Sequence, residues 1–304
     1  MANHQRLAGV YAAALTPLKI DGSLALDDLL LYLDFLANRG CHGVLLLGTT
    51  GEGPSFAPNE RVALMRAALE IRQTQPQLKL LAGTGTPSLE ETLILTRTAF
   101  DIGYDGVVVL PPYYFRSASD NGLFTWFSQV IRQAVPSGGA FFVYHIPAIS
   151  GVPLSMDLLA RLIEAFPDRF AGIKDSSGDP EHAKALGERF NKDILTLIGN
   201  DKLLSHSLRY DGAGAITALA NLHSPYLRRI WDSFQEGSPD PDTQSKLSAA
   251  RAVMDKYAPF PPIFKSLLAK QHRFPVWSAK PPLMPLPEYI VERAKAELEV
   301  IDDE

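Results

Sequence analysis

"FAGIKDSSGD", residues 170–179, is the stretch whose reading decides the fold. An apolar run carries a lysine, Lys174, to its end and breaks at once into small polar residues, with a helix expected over 180–190. A short run that is apolar on both faces suits a parallel strand covered by helices, and a helix directly after it completes a strand-helix unit.

The same unit recurs in both directions from this point. "GVYAAAL" (9–15) precedes "LALDDLLLYLDFLANRG" (24–40), whose apolar spacing and closing glycine suit a helix with a left-handed cap. "GVLLLG" (43–48) leads to "APNERVALMRAALEIRQ" (57–73), with Pro58 near a helix start and Glu60 in its first turn. "LKLLAGTG", "GVVVLPP" and "AFFVYHIP" precede helices near 88–102, 121–134 and 155–165. "LTLIGND" precedes 202–210, and "GAGAITAL" (212–219) completes eight strand candidates. Eight such repeats favour a closed (β/α)8 TIM barrel over an open doubly wound sheet. The expected division is a barrel over residues 1–222 and a helical extension over 223–304, punctuated by "PFPPI" and "AKPPLMPLP" and packed on the barrel.

Composition narrows the function. With 46% hydrophobic and 21% charged residues the chain reads as globular, with material for a sizeable core. A net charge of −5 and a pI near 5.8 offer no general basic surface, so nucleic acid is not an expected partner. No apolar stretch approaches the ~20 residues that span a bilayer, so no membrane association is expected. The first residues lack the organisation of a signal peptide, and a cytoplasmic location is expected. The single cysteine, Cys41, leads into an apolar run and reads as a small buried hydrophobe.

In such barrels the chemistry sits at the C-terminal ends of the strands. That rule sorts the lysines. Lys79 opens its strand, Lys19 lies in a loop, and most others fall on helices or late in the chain, so Lys174 is the one that closes a strand. Such a lysine is either a rim residue paired with an acid or an amine that attacks a carbonyl. With an unperturbed pKa near ~10.4, about one lysine in a few thousand is neutral at pH 7, and a nucleophilic one needs about 4 kcal/mol of help from its surroundings. A narrow, dry barrel mouth is a place to find it. "GTTGEGPSF" (48–56) brings Thr49 and Thr50 to the same rim, with Gly48 and Gly51 supplying flexible backbone whose N–H groups can grip a carboxylate. "VYHIP" (143–147) brings Tyr144, a phenol able to move a proton when a hydroxyl orients it. Each has a plain structural explanation when taken singly. Together they put an amine, a phenol and hydroxyls around one cavity.

"GTTGE" (48–52), "PPYY" (111–114), "YHIP" (144–147) and "GIKDSSGD" (172–179) carry a resemblance over nearly the whole chain. The sequence resembles the pyruvate-dependent class I aldolase superfamily, which includes dihydrodipicolinate synthases, N-acetylneuraminate lyases and 2-keto-3-deoxygluconate aldolases. The resemblance implies Lys174 as the Schiff-base lysine and Tyr144 as the acid/base. It implies Thr49 and Thr50 as carboxylate and relay hydroxyls, with Tyr113 or Tyr114 completing the relay. Tyr114 would reach into a neighbouring subunit of a homo-oligomer, a dimer or tetramer, and Ile216 would line the pocket. Pyruvate and an aldehyde or 2-oxo acid are the implied substrates. No cofactor or metal is implied, because the covalent imine is itself the electron sink, and the sequence has no compact ligand motif among its scattered histidines.

The synthases carry an arginine after the tyrosine motif, where this chain has Ile149, read as a buried apolar group that makes no bidentate ion pair with a carboxylate. The loop "GTTGEGPSFAPNE" is similar to that of ketodeoxygluconate aldolases, and "KDSSGD" to 4-hydroxy-2-oxoglutarate aldolases. The expectation is an aldolase acting on a 2-keto-3-deoxy sugar acid or a hydroxy-oxo acid. A synthase-like condensation, an imine-dependent dehydratase and a non-catalytic 2-oxo-acid-binding barrel are the competing readings. His145, in place of the motif's usual asparagine, is expected to face the helical layer. Arg116 reads as a loop arginine or as a contact to a distal anion.

Overall fold

The computed structural model describes residues 4–303. Its eight strands are β1 (Gly9–Ala13), β2 (Gly43–Leu46), β3 (Lys79–Gly83), β4 (Gly106–Val109), β5 (Ala140–His145), β6 (Phe170–Asp175), β7 (Leu195–Ile198) and β8 (Gly214–Thr217). Every strand is parallel to its neighbours, and β8 pairs with β1 to close the barrel. Each of the eight apolar runs read from the sequence contains one of them, because such a run leaves no face to give to water.

Side chains sort into two cores across the barrel wall. Tyr11, Leu45, Leu81, Val108, Phe142, Leu197 and Ile216 fill the interior, while Val10, Val44, Val107, Val143 and Ile173 pack outward under the helices. The floor is sealed where the Tyr11 hydroxyl donates to the Leu7 carbonyl at 2.9 Å. The barrel is thus a packed core rather than a pore.

Strand β6 holds an irregularity that decides which of its residues face the interior. Phe141 pairs with Phe170, but the next residue, Phe142, pairs with Gly172, so Ala171 is an extra residue in β6. Ala171 faces the interior core, whereas Ile173 faces the outer one. A bulge shifts the two-residue alternation by one place. Without it the inward positions after Ala171 would be 173 and 175; with it Lys174 turns inward and Asp175 outward.

The helix Ala220–Gln235 follows β8 and runs across position 222/223. Its Asn221 donates to the Ala13 carbonyl at the end of β1 and accepts from the buried Tyr32 hydroxyl. Three further long helices follow, Pro241–Met254, Phe260–His272 and Glu288–Asp303. The segment between the last two folds back over the barrel. There Ser278 N–H donates to the Leu18 carbonyl at 3.1 Å and Trp277 Nε1 donates to Asp28 at 2.9 Å. Cys41 is buried, and burial pushes its thiol up to about 12. Among the described residues no helix is long and apolar enough to cross a membrane.

Candidate active site

The loop after β2 is built by backbone constraint. Leu47 and Glu52 both take left-handed conformations, at φ 59° and 58°. Gly53 lies so close to the Leu47 carbonyl that a Cβ there would sit 1.9 Å from its oxygen, a position glycine alone tolerates. Gly53 N–H donates to the Gly48 carbonyl and the Thr16 hydroxyl donates to that of Gly51, at 3.0 and 2.7 Å. The result is a tight turn that presents Thr49 half-buried at the rim, with Gly48, Thr50 and Gly51 buried behind it.

Across the mouth, β5 and β6 pair in register so that Tyr144 stands beside Lys174. Lys174 is 3% exposed, and its Nζ lies 4.1 Å from the centre of the Tyr144 ring. Among the described residues no carboxylate forms an ion pair with it. Asp175, next in sequence, points through the wall to the other side. The Tyr144 hydroxyl lies 3.4 Å from Thr49 Oγ1. Burial alone would raise the phenol's pKa. The positive charge of Lys174 and hydrogen bonds with Thr49, Lys174 and Ser176 outweigh it and hold Tyr144 below the ordinary phenol range. In Tyr11, Tyr32 and Tyr104 burial outweighs every opposing contact, and the phenols are pushed far up.

Of the residues singled out from sequence, the structure gathers Lys174, Tyr144, Thr49, Thr50, Gly48, Gly51 and Ile216 at one end of the barrel, Ile216 in the interior core with Tyr144. Tyr113 is half-buried on the loop after β4, with Arg61 and Glu91 as its charged neighbours. Tyr114 is 76% exposed on this chain and meets Phe115 edge to face, apart from the cluster. Ile149 corrects the sequence reading: it is 60% exposed on the short helix Pro147–Ser150 rather than buried. Its lack of charge, not its burial, distinguishes it from an arginine. Arg116 lies against Gly151, where a Cβ would come within 2.6 Å of its Cδ. Beyond β7, Asp201 is buried in an ion pair with Arg251 at 3.0 Å, a structural tie.

Two features escaped the sequence reading. Ser176 stands next to Tyr144. Period-two alternation from Lys174 would have found it, since residues 174 and 176 share a face. Lys265, from the helix Phe260–His272, is buried and pairs with Glu52 of the threonine loop at 2.5 Å, while Lys280 N–H donates to the other Glu52 oxygen at 2.7 Å. No local signal links positions so far apart in sequence.

A small cavity at the mouth is lined by Leu45, Gly48, Pro54, Gly83, Val108 and Tyr144. A wider depression lies elsewhere, beside Gly40 at the opposite end of β2. Its cations Arg228 and Arg229 are already paired with Asp232 and Asp240, so it offers no comparable chemistry.

Known proteins match the chain over nearly its whole length. The family model described as the dihydrodipicolinate synthetase family matches residues 6–300. A DapA-like lyase of Chloroflexus aurantiacus is 35% identical over 96% of each chain. A 4-hydroxy-tetrahydrodipicolinate synthase of Methanosphaerula palustris is 29% identical over 96% of this chain and 98% of its own. Among solved structures, YagE, a prophage protein from E. coli K12 in complex with pyruvate, superposes with a TM-score of 0.90 at 25% identity, over 97% of this chain and 98% of its own. The dihydrodipicolinate synthase of Agrobacterium tumefaciens gives 0.86 at 29%, over 96% and 99%. A closed eight-stranded barrel carrying a buried lysine beside a tyrosine, matched from end to end by such relatives, leads to one conclusion: the chain belongs to the dihydrodipicolinate synthetase family.

Proposed function

We propose that the chain is a Schiff-base-forming lyase, a class I aldolase that makes or cleaves a carbon–carbon bond between pyruvate and an aldehyde, acting on a 2-keto-3-deoxy sugar acid or a related hydroxy-oxo acid. One observation carries the reading. Lys174, buried with no carboxylate of the described residues paired to it, lies against Tyr144, which in turn meets Thr49.

The chemistry follows from those groups. The Lys174 amine adds to the ketone of a 2-oxo acid and loses water, giving a protonated imine. The Tyr144 phenolate, favoured by its lowered pKa, takes the proton of the C4 hydroxyl as the C3–C4 bond breaks. The bonding electrons pass into the imine to give an enamine, and an aldehyde leaves. Protonation of the enamine at C3 and hydrolysis return pyruvate and the free amine. Thr49 orients the phenol, and the turn of Gly48, Thr50 and Gly51 holds the 2-oxo acid's carboxylate. The same sequence run backward is the condensation. In the working homo-oligomer, a dimer or tetramer, Tyr114 reaches from one subunit toward the site of the next and Tyr113 serves its own.

Relatives named as 4-hydroxy-tetrahydrodipicolinate synthases favour a second reading, condensation of pyruvate with an amino aldehyde. Ile149 weighs against it, because an apolar side chain offers an incoming carboxylate no charge-assisted hydrogen bond. Incubation with a 2-keto-3-deoxy sugar acid separates the outcomes. Pyruvate plus an aldehyde supports the proposal; a dehydrated acid of unbroken chain length makes the protein a dehydratase and overturns it.

A further inference from the structure

The rung of β5 and β6 that points inward carries Tyr144 and Lys174, and the next rung, His145 opposite Asp175, points outward. On that outer side the helix Pro180–Phe190 brings His182 over the pair. We infer that His145, Asp175 and His182 form a binding site for one divalent transition-metal ion, of the Zn2+ class, outside the barrel wall.

The donor atoms, one from each residue, all lie within 4.8 Å of one another. Ligands of a tetrahedral zinc ion, at about 2.1 Å from the metal, stand about 3.4 Å apart, so a modest closure completes the set. The imidazole torsions that would supply it are soft. His145 is 5% exposed, and its Nδ1 is buried without a hydrogen-bond partner among the described residues. The backbone of Leu154 lies close enough to the ring to act on it, a contact of the sort that orients a ligating histidine. His182 Nδ1 is likewise without a hydrogen bond, although it stands 3.3 Å from Asp175 Oδ2. Two buried nitrogens without hydrogen-bond partners, on residues clustered around a buried carboxylate, leave polar capacity unused, which native interiors seldom do.

The surrounding structure holds the three residues in place. Asp175 accepts from Ser177 N–H at 3.0 Å and from the Ser177 hydroxyl at 3.1 Å, which fixes the carboxylate. Asp179 caps the helix by accepting from Glu181 N–H, which fixes where His182 emerges. The His182 side chain is 18% exposed and gives an ion a way in, while two imidazoles and one carboxylate leave room for water as a fourth ligand. Bound there, the ion ties the ends of β5 and β6 to the helix from behind the Tyr144–Lys174 rung. It takes no part in the imine chemistry on the other side of the wall.

The test uses the untagged full chain, dialysed against EDTA and titrated with Zn2+ in competition with a chromophoric chelator. The proposal expects one ion per chain, and with Co2+ the visible bands of a low-coordinate site. His182→Gln, at a partly exposed position, and His145→Asn each weaken binding at least about tenfold. Far-UV circular dichroism without metal shows that both variants fold. Zn2+ also raises the melting temperature of the wild type and not that of His182→Gln. Failure of the wild type to bind stoichiometrically, or binding that both variants leave undiminished, overturns the site.

Discussion

Among the described residues two lysines are buried, and they differ in what they face. Lys174 lies in the barrel mouth, 3% exposed, against the face of a phenol and with no carboxylate of the described residues paired to it. Lys265 is 1% exposed but rests on Glu52 and also donates to the Ser278 carbonyl at 2.6 Å. Burial lowers the Lys265 pKa while Glu52 works against it, so the ammonium is desolvated yet compensated. Burial by itself therefore does not make a nucleophile. A buried cation with a carboxylate is a fastener, here joining the C-terminal helices to the loop that carries Thr49; under the proposed function, the one without a carboxylate is left for the covalent step.

The comparison breaks first at Lys174. Lys174→Ala and Lys174→Arg should both lower kcat/KM for carbon–carbon cleavage by on the order of 10⁴-fold or more, because neither side chain forms the imine. Loss of similar size in Lys265→Arg, with the fold intact, would erase the distinction. Stability should show the reverse order. Lys265→Met leaves the Glu52 charge buried and should cost about 3–5 kcal/mol in a denaturant titration. Lys174→Met removes a buried amine that no carboxylate of the described residues pairs with and should hold or raise the midpoint. Equal losses at the two positions would contradict the account.

Tyr144 sharpens the contrast, since its lowered pKa depends on facing Lys174. Tyr144→Phe should reduce kcat by about 10²–10³-fold. An ultraviolet titration of the wild type should show one phenol ionising below the ordinary value of 10.0, a transition missing in Tyr144→Phe. The sign is that of a depressed acid. Its ionisation adds stability at pH values above the unfolded pKa, and that contribution is lost as pH falls through the folded pKa. Lys174→Met should return the transition to higher pH. The smallest effect belongs to Thr49→Val, which removes the hydroxyl 3.4 Å from the phenol and should cost about tenfold in kcat with little change in stability.

Much of the fold was legible in the sequence because each strand of a parallel barrel is a short run without a polar face. The candidate site was legible where strand ends announce themselves, in "GTTGE", "YHIP" and "GIKD". What stayed hidden was set by register and by contacts distant in sequence. The extra residue at Ala171 decides that Lys174 rather than Asp175 faces inward, and no local pattern in "FAGIKD" marks it. Glu52 and Lys265 meet only when the C-terminal helices fold back. His145 and His182 belong to one cluster only because β5 and the helix after β6 are neighbours in space. Ile149 was misjudged because apolar character predicts burial poorly on a short surface helix at a barrel rim.

The most direct test is borohydride reduction of the protein in the presence of pyruvate, followed by peptide mass analysis. The account predicts a single reduced pyruvyl adduct on the peptide containing Lys174, and none on the peptide containing the equally buried Lys265. An unmodified Lys174, or an adduct on Lys265 in its place, would contradict it.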